Sequence, residues 1–168
     1  MKKKRKILVC VFLLLAIVVV CYLGFCFIYK RVVYNSFFEK AENFMQARQS
    51  GDKTYEGYLV SVWVTDSVLS TRGNLSVTQT RYLMEDEEGN DFISNSTTDL
   101  LIFPKVFGGY RIRVIISPGN GKRGTGFYID ESLNLLDDSP ENRLIYEEYY
   151  SEIEKSVEIV RDVFGILK

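Results

Sequence analysis

The 168-residue chain carries 21 Lys and Arg against 22 Asp and Glu and contains no histidine. Lack of imidazole removes the usual general base, the Ser-His and Cys-His pairs and the commonest metal ligand. Five of the basic residues stand in the tip Met1–Lys6, leaving 16 basic against 22 acidic beyond it (net −6), a balance that argues against nucleic acid and against broad adhesion to anionic lipid.

After the tip, Ile7 to Tyr29 reads ILVCVFLLLAIVVVCYLGFCFIY, with no charge, Pro, Asn or Gln. A run of that length crosses a hydrocarbon core of about 30 Å as a helix, and it shows no polar stripe of the kind a soluble core helix would keep. The tip outweighs Lys30-Arg31 on the other flank, so the positive-inside bias predicts a cytoplasmic N-terminus and an extracellular C-terminal domain. The run exceeds the apolar region of a cleaved signal peptide, and no A-x-A pattern follows, so an uncleaved signal anchor is predicted. Cys10 and Cys21 follow Val and Cys26 follows Phe, which argues against a bacterial lipobox, where a small residue precedes the Cys. All three cysteines lie inside the apolar run, so the domain beyond has neither disulfides nor a thiol nucleophile. A cysteine-free exported domain points to a Gram-positive bacterium. The predicted organisation is a basic tip (1–6), a transmembrane anchor (7–29), a stalk helix (30–50) and one extracytoplasmic domain (51–168).

In the stalk, Val33, Phe37, Ala41 and Phe44 fall on one helical stripe with Phe38 and Met45 beside it, and Ser50-Gly51-Asp52 ends the helix. Nothing between Tyr29 and Val33 separates it from the span. A β-rich stretch follows. Tyr58 to Thr65 is strongly β-branched and aromatic. Leu75 to Met84 reads as a second strand, and the acidic turn Glu85 to Asn90 leads into a short third near Asp91 to Ser94. Leu100 to Phe103, stopped by Pro104, and Tyr110 to Ser117 are further strands. A glycine-rich turn from Pro118 to Gly121 returns through Gly126 to Asp130, and a last strand is expected around Leu133 to Leu136. Ser139 as N-cap, Pro140 at the first position and Glu141 then open an amphipathic helix. Its apolar face holds Tyr146, Tyr149, Ile153, Val157, Val160, Phe164 and Leu167. The fold class is α+β: a transmembrane helix, an antiparallel sheet domain, and helices packed on one face.

Catalytic equipment is missing. The carboxylate clusters Glu85 to Glu88 and Asp137-Asp138 sit in turns. Asp130, Asn134, Asp137 and Asp138 lack the spacing of a calcium loop. Lys122-Arg123 among glycines leads into a strand and lacks the phosphate-loop order. No enzyme activity, no cofactor and no metal is expected. Binding has more support. With Tyr58, Val60, Val62 and Val64 turned to the core, Trp63 faces the other side of its strand; with Tyr110, Ile112, Val114 and Ile116 inward, Arg111 and Arg113 face outward. Tyr128 joins them from the neighbouring strand. Trp, Tyr and Arg are the residue types most enriched in interface hot spots, so these four are the candidate partner-binding residues.

From Gly109 onward, YRIRVIIS, the glycine-rich turn, GFYIDESLNLLDDSPEN and the helix RLIYEEYYSEIEKSVEIV resemble the C-terminal part of TipC-type immunity proteins of streptococci and relatives. That resemblance covers roughly the last 60 residues and the anchor-then-domain layout. It implies a membrane-anchored protein that neutralises a secreted LXG-type toxin by binding it outside the membrane, without catalysis. The layout also suits a bitopic accessory subunit of an envelope machine for secretion, conjugation or division.

Overall fold

The computed structural model describes residues 2–49, 57–79, 83–85, 91–93, 97–117 and 124–167. Its first element, α1 (Lys2–Gln49), is a single helix of 48 residues, about 72 Å long at ~1.5 Å per residue. The span and the stalk are therefore one rod, continuous through Tyr29 to Val33. An 18-residue window within it reaches a mean hydropathy of 3.2 with none of the window buried, so by length and composition this helix is able to cross a membrane, as an anchor or a signal sequence.

Above the apolar run the helix changes surroundings. Tyr34, Phe37, Ala41 and Phe44 are buried, Val33 and Met45 pack half-buried against the same core, and Phe38 remains exposed. The stalk is thus one wall of the domain.

The opposite wall is a five-stranded antiparallel sheet of β1 (Tyr58–Val64), β2 (Gly73–Gln79), β5 (Thr97–Pro104), β6 (Tyr110–Ser117) and β7 (Thr125–Ile129), in the spatial order β1-β2-β5-β6-β7. Strict alternation fixes which face is buried. Tyr58, Val60, Leu75, Val77, Leu100, Ile102, Ile112, Val114, Ile116, Phe127 and Ile129 all point to the helices, with Val62, Val64 and Tyr110 half-buried beside them. Between β2 and β5 the chain makes a separate two-stranded ribbon, β3 (Leu83–Glu85) with β4 (Asp91–Ile93), in the register Met84 opposite Phe92.

Two helices close the core. In α2 (Pro140–Glu148), the Ser139 hydroxyl accepts a hydrogen bond from the Asn142 backbone N–H at 3.2 Å, and Pro140 starts the first turn. Helix α3 (Tyr150–Phe164) buries Ile153, Ser156, Val157, Ile159, Val160 and Phe164. Its C-terminus is finished by Gly165 in the left-handed conformation (φ 69°) and by Lys40 Nζ, which donates to the Phe164 carbonyl at 2.8 Å. Phe164 also meets Phe37 edge-to-face, ring centroids 5.6 Å apart, joining α3 to α1.

Several sequence expectations need correction. The second strand stops at Gln79, and Leu83–Glu85 belongs to the separate ribbon. No strand forms over Leu133 to Leu136; only Leu135 bridges to Ile129. The reason is local. Asp130 Oδ1 accepts from the backbone N–H groups of Ser132 and Asn134, both at 2.8 Å, and its Oδ2 accepts from Asn134 Nδ2 at 2.9 Å. This side-chain-to-backbone turn, with Leu133 at φ 67°, uses the donors a strand would need. The C-terminal helix is in two pieces, because Tyr149 (φ −107°, ψ 15°) departs from helical geometry. The turns at Glu85 to Asn90 and Pro118 to Gly121 fall largely outside the described residues.

Candidate functional site

Among the described residues, helices cover one face of the sheet and leave the other open. Register sets its side chains in rows. One row holds Trp63 opposite Asn74 on β1 and β2, and Phe103 opposite Arg111 on β5 and β6. The next runs unbroken through Ser61, Ser76, Leu101, Arg113 and Tyr128. A third passes through Leu59, Thr78, Asp99, Ile115 and Gly126. At ~4.8 Å between strands, β1 to β7 spans about 19 Å.

All four candidate residues lie on this face. Trp63 is 58% exposed, Arg111 is exposed, and Arg113 and Tyr128 are half-buried. The cluster is tightest on β6 and β7. The Arg111 guanidinium lies 4.2 Å from the centroid of the Tyr128 ring and that of Arg113 5.9 Å from it. Arg113 rests across Gly126, where a Cβ would come within 3.1 Å of Nη2 and 3.2 Å of Nε. Gly126 leaves the space in which the Arg113 side chain lies flat. Its Nε is buried and has no hydrogen-bond partner among the described residues. Tyr128 therefore sits against two cations on a surface where Leu59, Leu101 and Ile115 supply apolar area.

A groove of about 540 Å³ opens along the same end of the sheet, lined by Tyr34, Trp63, Thr71, Arg72, Gly73, Phe103, Pro104, Arg111 and Tyr128. It draws Trp63, Arg111 and Tyr128 together with residues the sequence did not single out. Arg113 lies outside its lining. Phe103 faces outward because it alternates with the buried Ile102, a parity obscured by the neighbouring Pro104. Tyr34 arrives from α1: it is 1% exposed, and its ring occupies the space left by the missing side chain of Gly73. Burial, with the nearby Tyr29 adding to it, pushes the Tyr34 phenol up to about 12. The lining offers indole, phenyl, phenol and guanidinium groups and one hydroxyl, with no carboxylate or thiol.

Two further concavities are smaller than this groove. One of about 310 Å³ is lined by Leu133, Asn134, Leu135, Asp138, Arg143, Tyr146 and Glu147. There the Arg143 fork binds both Asp138 carboxylate oxygens and holds that carboxyl below the usual range. The two side chains are 59% and 50% exposed, so the pair is a surface ion pair of small energetic weight. Among the described residues, no three His, Cys, Asp or Glu side chains converge as a metal site would require. Compared with known proteins, the chain has no match among protein-family models, curated proteins or solved structures.

Proposed function

We propose that the chain is a membrane-anchored binding protein that holds a secreted protein against the open face of its sheet. The observation that carries this reading is the grouping of Trp63, Phe103, Arg111 and Tyr128 around one groove whose lining holds no carboxylate or thiol. Aromatic rings give large, stiff contact area, and a guanidinium over a tyrosine ring is placed to meet carboxylates. Five strands at ~4.8 Å and seven residues at ~3.3 Å make a face of about 550 Å² in projection. A standard interface needs about 800 Å² from each partner. A partner must therefore overlap the sheet's edges or loops as well as its face.

The uncleaved anchor, the cytoplasmic basic tip and the extracellular domain of a Gram-positive cell complete this reading, and the resemblance of the last 60 residues supplies the partner class. The secreted partner is a toxin, and the chain is its immunity protein, acting by occupancy and without catalysis. The test is to place a photo-crosslinking amino acid at position 63 in the full-length chain, held in detergent micelles, and to add secreted proteins from the producing organism. A covalent adduct with a secreted toxin supports the reading. Adducts with integral membrane proteins alone would overturn it in favour of a subunit of an envelope machine.

A further inference from the structure

The ends of β1, β5 and β7 all lie at the end of the domain where α1 enters, and two of the loops there are apolar at their tips. The loop from β1 to β2 (65–72) runs down alongside α1. Lys30 Nζ donates to the carbonyls of Thr65 and Ser67 at 2.7 and 2.6 Å, and the Tyr22 hydroxyl donates to the carbonyl of Leu69 at 3.0 Å. Tyr22, Cys26 and Lys30 succeed one another at four-residue steps on one helix face, and Cys26 between them is buried. The hairpin from β5 to β6 turns through Lys105 to Gly109. Two glycines at positive φ make that turn, and a shallow cleft of about 300 Å³ separates it from Tyr29, Val32, Val33 and Ser36 of α1.

Both tips carry large side chains that the domain leaves uncovered: Val68 is 69% exposed, Leu69 61% and Phe107 102%. The depth of the first tip follows from helix geometry. Ile7 to Tyr29 spans about 35 Å, roughly 5 Å more than a hydrocarbon core. Tyr22 stands seven residues, or about 10 Å, below Tyr29. Even with the whole excess on the domain side, the residue bonded to Leu69 lies about 5 Å inside the hydrocarbon edge. Arg31, its guanidinium 5.0 Å from the ring centroid of Phe27, sits with Tyr29 and Lys30 where an aromatic and basic belt is expected.

We propose that the loops 65–72 and 105–109 form a second membrane-contact site, with Val68, Leu69 and Phe107 inserted at the headgroup–acyl boundary of the leaflet next to the domain. This rests on the reading of α1 as an anchor. The occupant is the lipid of the bilayer that α1 crosses, because the first loop is hydrogen-bonded to the spanning run itself. Insertion of a few apolar side chains beside a transmembrane helix adds little to membrane affinity. Its effect is orientation: it pins the domain and sets its sheet at a fixed tilt over the lipid surface.

Trp63 is the only tryptophan, so Trp63→Phe gives a dark background for reporters in the full-length chain, reconstituted in phosphatidylcholine vesicles with and without lipid brominated at the upper acyl positions. Leu69→Trp and Phe107→Trp are the loop reporters, Leu59→Trp the distant control and Phe25→Trp the span control. The expected result is at least about twofold quenching of both loop reporters and of the span control, with Leu59→Trp unchanged. Quenching of the span control without quenching of either loop overturns the contact site and leaves the anchor intact. Loss of quenching at Phe25→Trp as well overturns the anchor, and the contact site with it. The loop substitutions fall on exposed side chains, and an unchanged melting temperature for each confirms that the fold is retained.

Discussion

Gly73 and Tyr34 form a joint between α1 and the sheet, and Gly73→Ala is the substitution that tests it. A Cβ at this position would lie 2.7 Å from the Trp63 carbonyl oxygen, 2.7 Å from Tyr34 Cζ and 2.9 Å from Tyr34 Cε1. Carbon contacts are comfortable at about 3.5–4.0 Å, so the new methyl encroaches by roughly 1 Å on two neighbours. Neither yields easily, one being backbone of the adjacent strand and the other a buried ring, 1% exposed, that borders the groove. Overpacking of this kind costs about 1–3 kcal/mol, and two simultaneous clashes place it near the upper end. Against that, Gly→Ala restricts the unfolded chain and returns about 0.4–1 kcal/mol. The net loss is about 2 kcal/mol, or a fall in melting temperature of roughly 6–10 °C for a domain of this size. Thermal unfolding of the full-length protein in micelles, followed by near-ultraviolet circular dichroism, measures it. In a Tyr34→Leu background the same change should cost about 1 kcal/mol less, because the ring clash is gone and only the carbonyl remains. An unchanged or raised melting temperature for Gly73→Ala would show the joint to be slack and the reasoning wrong.

Trp63→Ala and Arg111→Ala should each weaken partner binding by about tenfold or more in a titration, while Glu158→Ala on the solvent side of α3 leaves it unaltered. Thr98 is fully buried and its hydroxyl has no partner among the described residues; Thr98→Val should therefore raise stability by about 1 kcal/mol in urea unfolding. The Asn134 and Ser132 hydrogen bonds hold the Asp130 carboxyl below its ordinary value. Its stabilisation is complete above the normal aspartate range and is lost as pH falls through the lowered folded value. Asp130→Ala should cost about 1–2 kcal/mol at neutral pH and progressively less below pH ~4. The Tyr34 phenol, raised by burial, works in the other direction: its contribution is present below the normal tyrosine value near 10 and is lost as pH rises toward about 12. Tyr34→Phe should flatten that alkaline decline.

Features carried by local period and turn chemistry were legible in the sequence. The helix stripe of Phe37, Ala41 and Phe44, the alternation of YRIRVIIS and the cap at Ser139 each express a preference that tertiary packing did not override. The outward placement of Trp63, Arg111 and Arg113 followed from the same alternation. Long-range complementarity was not legible. Tyr34 looks like one more aromatic on a helix until Gly73, 39 residues away, leaves a space that fits its ring. Leu133 to Leu136 reads as a strand by composition, but Asp130 captures the backbone donors first. Nothing in the local pattern of 65–72 tells that this loop would reach down to Tyr22.

The unbroken course of α1 gives the open sheet face a heading as well as a height. Every residue in the rod advances both by a fixed step, about 1.5 Å upward and about 100° around the axis. One residue inserted near Tyr29 would barely change the altitude of Trp63 and Arg111, yet it would swing them more than a quarter turn away from their bearing. Four inserted residues would restore that bearing to within about 40° while raising the face by about 6 Å. Height along the axis and bearing about it thus change in different proportion with each added residue, and any insertion near Tyr29 would also carry Tyr22 out of register with the Leu69 carbonyl it now meets.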